Sequence, residues 1–390
     1  MPSQSRLVNG LAALCALMLV AGVLFVFAHP SRAVRGGSVR VSTLARPPFV
    51  APTTDPVLPK GQASVPPEAA TAPTATTAPT ATAAAATAAP TTTTTAPPPP
   101  PAPDASHRWA VGTQSFTFVD SSRMTPPAGS DPGEAFRSLP TVIRYPVDGM
   151  AGGAEAAGGA SSHLGAPFPL IVFAHGYDSS PAVYATLLHS WASAGYVVAA
   201  PSFPRGTAGG PLDESDLDRQ PGDLSFVITR LLALAGPGGP LAGAVDTAHI
   251  GVAGHSDGAS TTAGIGYNTC CRDRRVLADA VMEGDEHPYP GGGWFPAGVA
   301  APLLVIQADQ DALNPPALGR AVYDGGRSPK YLLWLINAQH LEPYTTDTAH
   351  LAVVAAVTTS FFDRYLKGRA DAVAQMRRGA TPGLATLTAG

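Results

Sequence analysis

The segment His249–Ser260, HIGVAGHSDGAS, places an apolar strand directly before a glycine-rich turn and a run of helix-forming residues. The turn, GHSDG at 254–258, has the spacing G-x-S-x-G. Between a strand and a helix, this spacing predicts a sharp turn whose glycines leave room for neighbouring backbone and whose serine hydroxyl stands exposed. The N–H groups of the following helix favour negative charge at that point. We therefore expect Ser256 to act as a catalytic nucleophile.

Predicted strands and helices alternate along the chain on both sides of this turn. Short continuous apolar runs such as Pro169–Ala174, PLIVFA, are typical of strands that are buried on both faces of a parallel sheet. The alternation predicts a doubly wound α/β fold with a mostly parallel central sheet, helices on both faces and no large lid. Strands are predicted at 110–120, 138–146, 169–174, 196–200, 249–253, 276–282, 302–307 and 330–336, and helices at 181–194, 223–234, 315–323 and 349–366.

The loop after the strand at 169–174 contains a candidate oxyanion hole. It reads His175-Gly176-Tyr177, and in folds with a G-x-S-x-G turn a second oxyanion donor comes from this position. The backbone N–H groups of Tyr177 and Asp257 are therefore the predicted donors. Each such donor stabilises the transition state by about 2.7–4 kcal/mol. The alternative is that this loop is only a tight structural turn.

Two aspartates compete for the role of the acid that orients the general base. In such folds the chain order is serine, then acid, then histidine. The loop after the strand at 302–307 contains Asp309 and Asp311, and Asp311 lies four residues before the proline that opens the next helix. We favour Asp311 and keep Asp309, which is nearer the strand end, as the alternative. The alternative to a catalytic role is a structural one, in which the second aspartate caps the turn or the following helix.

The general base is expected in the loop after the last parallel strand, where His340 follows KYLLWLI. A histidine there can accept the proton of Ser256 and later deliver it to the leaving group. His350 lies within a helical pattern and His287 lies in the loop GDEHPYPGGGW, so both are weaker candidates. The same loop offers His287 and Trp294 either as walls of a substrate pocket or as residues that pack the loop against the domain.

From about Ala110 to Lys367 the sequence resembles the α/β-hydrolase superfamily. It is most similar to the branch of dienelactone hydrolases, chlorophyllases, platelet-activating-factor acetylhydrolases and cutinase-like polyester hydrolases. Besides the turn at 254–258, the resemblance is carried by FVD at 118–120, RYP at 144–146, HG at 175–176, GD at 222–223 and GD at 284–285. It implies the α/β-hydrolase fold and a serine esterase that needs no metal or organic cofactor.

Two positions depart from the family pattern. Ala308 stands where the acid loop usually begins with glycine, and Asp257 stands where Leu, Met or Gln often follows the nucleophile. A carboxylate beside the oxyanion hole opposes the developing negative charge unless it points away or is paired. The second departure therefore bears on the rate more than on the mechanism.

Together these residues predict a carboxylic-ester hydrolase with Ser256, Asp311 and His340 as its triad. Its substrate would be a small-molecule, lipid or polymeric ester, and we expect a monomer. A cell-envelope acyltransferase would form the same acyl-enzyme but would need an apolar acceptor groove beside Ser256. A non-catalytic binding domain on a stalk is the third possibility, and it predicts that the three triad side chains do not converge.

The first 106 residues differ from the rest in composition. Residues 7–28 are uncharged and mostly apolar, and at about 1.5 Å per residue they could cross a bilayer, so 1–30 is predicted to be a signal peptide or membrane anchor. Every residue at 69–103 is Ala, Thr or Pro, which predicts a disordered linker over 31–106. The hydrolase domain is predicted at 107–370 and a flexible tail at 371–390.

The orientation of this N-terminal part is open to two interpretations. Tracts rich in Thr and Pro are typical of stalks outside the cell, which favours an extracytoplasmic enzyme that is either membrane-anchored or secreted. The four arginines between residues 32 and 46 favour the opposite orientation, because positive charge tends to stay on the cytoplasmic side. We favour export.

Composition and charge exclude several classes of function. The 390 residues carry a net charge of −4 and no dense basic run, so nucleic-acid binding is not expected. Three cysteines exclude a disulfide-framework protein. The adjacent Cys270 and Cys271 could form a vicinal disulfide, stay thiols or bridge elsewhere. We expect them to be small buried residues without a catalytic role.

Overall fold

The computed structural model describes residues 107–298 and 301–390. The predicted signal peptide or anchor at 1–30 and the predicted linker at 31–106 lie outside the described residues. Within residues 107–298 and 301–390, no helix combines the length and the apolar character needed to cross a membrane.

A ten-stranded sheet forms the centre of the domain, and helices connect its strands. The strands are β1 (Ala110–Asp120), β2 (Arg137–Val147), β3 (Ala156–Ala157), β4 (Phe168–Ala174), β5 (Val197–Pro201), β6 (Val245–His255), β7 (Val276–Met282), β8 (Leu303–Ala308), β9 (Lys330–Leu335) and β10 (Ala385–Ala389). The helices are α1 (Ala185–Ser193), α2 (Gln220–Leu234), α3 (Asp257–Tyr267), α4 (Ala317–Gly325), α5 (Glu342–Thr345), α6 (Thr348–Tyr365) and α7 (Ala372–Gly379).

The sheet is parallel at its centre, β10, β2 and β1 extend it with antiparallel pairs, and the short β3 pairs parallel with β1 at one edge. Its strand order is β10-β9-β8-β7-β6-β4-β5-β2-β1-β3, and every pair from β9 to β5 is parallel. The chain leaves β4 for β5 on one side and then crosses to β6 on the other. In open α/β sheets, ligands bind beyond the carboxyl ends of the strands at such a switch point. The predicted mostly parallel sheet is confirmed, and strands and helices predicted from the sequence differ at their ends by no more than four residues.

Helices cover both faces of the sheet, because alternate side chains of its central strands face opposite layers. On β4, Ile171 and Phe173 pack in a cluster with α1 and α6, whereas Leu170 and Val172 pack with α2 on the other face. All four side chains are fully buried. Burying one such side chain contributes about 1.5–3 kcal/mol, so the two layers hold firmly the strand ends that carry the site. Among the described residues of the connection from β7 to β8, no helix forms a lid.

The prediction of a flexible tail at 371–390 is wrong. Ala372 and Met376 of α7 are buried, and β10 pairs antiparallel with β9 from Ala385 opposite Leu335 onwards. The sequence of β10, ATLTA, is too short and too weakly apolar to predict a strand by itself. The edge of β9 supplies the backbone partners that turn this segment into a strand.

Cys270 and Cys271, which follow α3, form a disulfide with each other. Cys270 is exposed and Cys271 is partly exposed, so the expectation that they are small buried residues is wrong.

Candidate active site

Ser256 occupies a strained turn between β6 and α3. Its φ of 57° and ψ of −126° are unusual for a residue that carries a side chain. The two glycines of the turn explain how the backbone can approach so closely. A Cβ on Gly254 would lie 2.1 Å from the carbonyl oxygen of Gly258, and one on Gly258 would lie 2.1 Å from that of Ala174. The turn therefore requires glycine at both positions.

Asp311 and His340 are brought together from the loops after β8 and β9. The Nδ1 atom of His340 lies 2.6 Å from Oδ2 of Asp311, while Oδ1 accepts hydrogen bonds from the Leu313 and Asn314 N–H groups at 2.8 Å each. Burial raises the pKa of Asp311, but the hydrogen bonds from His340 and the Asn314 N–H outweigh this effect and leave that pKa below its usual value. An ionised Asp311 is suited to orient the imidazole of His340 and to stabilise its protonated form.

The alternative candidates lie elsewhere. Asp309 accepts a hydrogen bond from the backbone N–H of Ala338 at 3.2 Å, so its carboxylate helps to fix the loop that leads to His340. His350 lies within α6, where its ring contacts Asp347 at 2.7 Å and the carbonyl oxygen of Ile336 at 3.0 Å. Both residues therefore have structural partners that account for them.

Ser256 and His340 line one cavity of about 640 Å³. Gly176 and Tyr177 line it too, and a Cβ on Gly176 would lie only 3.1 Å from the Cβ of Ser256. The predicted oxyanion loop therefore passes directly beside the serine. Asp257 also borders the cavity, at the start of α3, where backbone N–H groups have no partner within the helix. The cavity thus unites the predicted nucleophile, base and oxyanion donors.

Comparisons with known proteins agree with this fold and with an esterase-like hydrolase. A family model described as Chlorophyllase matches residues 161–273, which include β4, the loop at Tyr177 and the turn at Ser256. A solved structure of a ferulic acid esterase from Streptomyces cinnamoneus matches with a TM-score of 0.54 and 24% identity, over 68% of this chain and 93% of that chain. The chain therefore has the α/β-hydrolase fold, and part of it matches a family model of esterase-like hydrolases. Comparison with curated proteins finds no match.

Asp257 brings a carboxylate close to the predicted oxyanion hole. Burial, together with the negative charges of Glu214 and Asp285, raises the pKa of Asp257 to about 6. Its Oδ2 atom is buried and has no hydrogen-bond partner among the described residues. The side chain is therefore an unpaired carboxylate at neutral pH, and its charge is costly in this position.

We expect Asp257→Asn to stabilise the protein at high pH. Because folding raises the pKa of Asp257 from 3.8 to about 6, ionisation costs folding free energy that appears as pH rises through this interval and is complete above it. The free energy of unfolding of the variant should exceed that of the natural protein by about 2–3 kcal/mol at pH 8 and by little at pH 4. Urea unfolding at both pH values measures this difference. Asp178→Asn, at an exposed carboxylate of the same cavity, is the control, and an equal gain there would contradict the assignment.

The structure corrects the prediction that His287 and Trp294 are walls of the substrate pocket. Neither residue is among those that line the cavity at Ser256. His287 Nε2 lies 2.8 Å from Asp218 Oδ1, and the indole N–H of Trp294 donates to the carbonyl oxygen of His287 at 3.1 Å. The Trp294 ring also packs against Tyr289. These contacts pack the loop against the domain, as the alternative interpretation proposed.

Sequence reasoning missed a buried histidine that anchors the catalytic loop. The Nε2 atom of His255 lies 2.7 Å from the carbonyl oxygen of His340, and its Nδ1 lies 2.8 Å from the hydroxyl of Tyr184. Since a carbonyl only accepts, Nε2 donates and Nδ1 accepts from Tyr184. Burial and the nearby His340 lower the pKa of His255 to about 3, so the ring stays neutral. Its place in the G-x-S-x-G turn was the only signal in the sequence.

Sequence reasoning also missed Glu283 and Tyr344. Glu283 follows β7 directly, Tyr344 lies on α5, and the tyrosine hydroxyl donates to Oε1 of Glu283 at 2.6 Å. Both side chains are fully buried. In the sequence, Glu283 is a single acidic residue after a predicted strand, and nothing there indicates that Tyr344 is its partner.

Proposed function

We propose that this protein is a serine carboxylic-ester hydrolase with Ser256, His340 and Asp311 as its triad. The observation that carries the proposal is the 2.6 Å contact between His340 and Asp311 at a cavity that also holds Ser256 on its strained turn. The fold and the match to the Chlorophyllase family model support an esterase-like hydrolase. The named ferulic acid esterase shares this fold, which is consistent with ester chemistry at the same edge of the sheet.

In the proposed mechanism, His340 removes the hydroxyl proton of Ser256 as Oγ attacks the ester carbonyl carbon. The carboxylate of Asp311 holds the imidazole in position and stabilises its protonated form. The backbone N–H groups of Tyr177 and Asp257 donate to the oxyanion. His340 then protonates the leaving alcohol, and water that it activates hydrolyses the acyl-enzyme, which regenerates Ser256.

The walls of the cavity favour uncharged esters with an apolar acyl group. Val183, Leu313 and Leu341 line it and are exposed to solvent, as is the ring of Tyr177. Such exposed apolar side chains, gathered at one cavity, suit an acyl or aromatic group. The lining contains four acidic residues, Asp178, Glu214, Asp257 and Glu342, and neither Lys nor Arg is among the described residues that line this cavity.

We expect these carboxylates to discriminate against anionic substrates. At low ionic strength, kcat/KM for an ester with a carboxylate on its acyl group should be about 10-fold lower than for the uncharged methyl ester of the same acyl group. Added salt should reduce the difference in kcat/KM between the two esters, because it screens carboxylates near the surface. Glu214→Gln should reduce this difference too. Equal kcat/KM values for the two esters at low salt would contradict this assignment of the cavity.

Hydrolysis of a series of p-nitrophenyl esters from acetyl to palmitoyl tests the proposed function. We expect turnover that rises or falls with acyl length and is lost in Ser256→Ala. An acyltransferase would instead release p-nitrophenol faster when a sugar or lipid acceptor is added. The carboxylates of the cavity favour water over a lipid acceptor. A non-catalytic domain would show no turnover, and it has no need of the contact between His340 and Asp311.

We also propose that the enzyme acts outside the cytoplasm. The proposal rests on the apolar segment at 7–28 and the Ala/Thr/Pro tract at 69–103. Protease added to intact cells should cleave within the linker and release the hydrolase domain. A linker that is cleaved only after cell lysis would contradict the proposal.

A further inference from the structure

We propose that Glu283 is a positioning residue that carries a proton and donates a hydrogen bond to Asp311. In this role it holds the acid of the triad in place and adds no second negative charge to the carboxylate that contacts the His340 ring. The inference rests on the proposed function, because it concerns the same site.

The surroundings of Glu283 show a side chain held rigidly in place. It follows β7 directly, is fully buried, and has a φ of 56°, which is uncommon for a residue with a side chain. Its Oε1 accepts from the Ala308 N–H at 2.8 Å and from the Tyr344 hydroxyl at 2.6 Å. Its Oε2 accepts from Nε2 of Gln307 at 2.5 Å. The carboxyl groups of Glu283 and Asp311 are also in hydrogen-bonding contact.

A hydrogen bond between two carboxyl groups requires one proton between them. Asp311 already accepts from two backbone N–H groups and from His340, an environment that favours its ionised form. Glu283 also accepts three hydrogen bonds, but none of its donors is a histidine or another group that can carry positive charge. A protonated carboxyl group can accept these bonds on both oxygens and still has one O–H to donate. Burial raises the pKa of Glu283 well above its usual value, and the hydrogen bond from Tyr344 does not cancel this effect. The proton therefore belongs to Glu283.

Glu283 also connects the segments that carry the triad. The side-chain amide of Asn314 donates to the Glu283 carbonyl oxygen at 2.5 Å, while the Asn314 backbone N–H donates to Asp311. Tyr344, four residues after His340, joins α5 to the same carboxyl group. A displaced Glu283 would therefore release both the acid loop and the segment that follows the histidine.

Two other titratable side chains, those of Tyr344 and His255, lie near Glu283 and His340, and both are neutral. Burial raises the pKa of Tyr344 well above its usual value, and burial lowers the pKa of His255 to about 3. The charges that act on the His340 ring are those of Asp311, of the cavity carboxylates Asp178, Glu214, Asp257 and Glu342, and, if it were ionised, of Glu283. The four cavity carboxylates are unchanged in the comparison below.

The test is an NMR titration of the His340 ring in the full chain, assigned with His340→Gln. It compares the natural protein with Glu283→Gln, which keeps an N–H donor without charge, and Glu283→Leu, which has no donor. Asp279→Asn is the matched control, since Asp279 is an equally buried carboxyl group on β7. Its neighbours include Thr262 and Gly266.

We expect the titration midpoint of His340 to stay in place in Glu283→Gln and in Asp279→Asn. It should rise by about 0.5 pH unit or more in Glu283→Leu, because Asp311 without its donor binds the imidazolium more strongly. A midpoint that falls by a similar amount in Glu283→Gln would overturn the proposal, because it would mean that an anion had been removed. An unchanged midpoint in Glu283→Leu would overturn it as well.

Kinetics provide a second measurement. For a p-nitrophenyl ester, kcat should fall about 10-fold in Glu283→Leu with little change in KM, and should recover to within about 3-fold in Glu283→Gln. A purely structural role predicts that Glu283→Leu loses thermal stability without moving the His340 midpoint. Because the titration needs no turnover, a natural protein that hydrolyses no ester would refute the proposed function and leave this test intact.

Discussion

Replacing Ser256 by alanine is expected to lower kcat for a p-nitrophenyl ester by about 10⁴-fold or more. The reason is that, in the proposed mechanism, Ser256 Oγ is the atom that becomes acylated, and alanine has no atom that can take over this covalent step. The turn at φ of 57° places this hydroxyl at the cavity, and alanine removes only the hydroxyl. The variant should therefore fold normally and still bind substrate. Release of p-nitrophenol, measured in both proteins at saturating substrate, checks the expectation.

The matched control for this prediction is Ser260→Ala. Ser260 lies one turn along α3 and is buried. Its hydroxyl donates to Asp285 at 2.5 Å and lies 3.5 Å from the backbone carbonyl oxygen of Ser256. We expect it to lose stability and to keep kcat within about 3-fold of the natural value. If Ser256→Ala retained most of the activity, Ser256 could not be the nucleophile. If both variants lost activity equally, disruption of α3 would be the simpler explanation.

The second large effect is expected for Asp311→Asn, with a loss of about 10³–10⁴-fold in kcat. An amide in place of the carboxylate can present an N–H to His340, which favours the wrong tautomer and withdraws the charge that stabilises the imidazolium. The 2.6 Å contact between His340 and Asp311 makes this effect direct. The measurement is kcat across a pH range, since loss at every pH separates this variant from one that only moves a titration midpoint.

Asp309→Asn is the paired control, two residues away in the same loop. Asp309 accepts from the Ala338 N–H, a bond that an asparagine side-chain oxygen can also accept, so kcat should stay within a few-fold. The combination of Asp311→Asn with His340→Ala should be little worse than His340→Ala alone, because the two residues act as a unit. A larger loss from Asp309→Asn than from Asp311→Asn would reverse the assignment of the acid.

Much of the fold can be predicted from the sequence, because its central strands are short continuous apolar runs. β7 is found at Val276–Met282 as predicted, and β4 begins one residue before the run PLIVFA. β10 could not be predicted, because ATLTA becomes a strand only through the edge of β9. The vicinal disulfide was one of several open possibilities, since adjacency in sequence does not determine the redox state of two thiols.

The site could be predicted in so far as each residue follows a strand end. Ser256, Asp311 and His340 all lie just beyond carboxyl ends of parallel strands, which the sheet brings to one edge. Trp294 also follows a strand in sequence, but its loop turns back on the domain. Glu283 was missed because its function depends on contacts with Tyr344 and Asp311, which are distant in sequence.

The most direct test of the central claim, that His340 activates Ser256 as the nucleophile, is covalent labelling with a fluorophosphonate followed by peptide mapping. The natural protein should carry one label per chain, on the peptide that contains Ser256, and Ser256→Ala should carry none. His340→Ala should be labelled at least about 100-fold more slowly than the natural protein, because its serine lacks the general base. A natural protein that hydrolyses esters but carries its label elsewhere, or none at all, would contradict the claim.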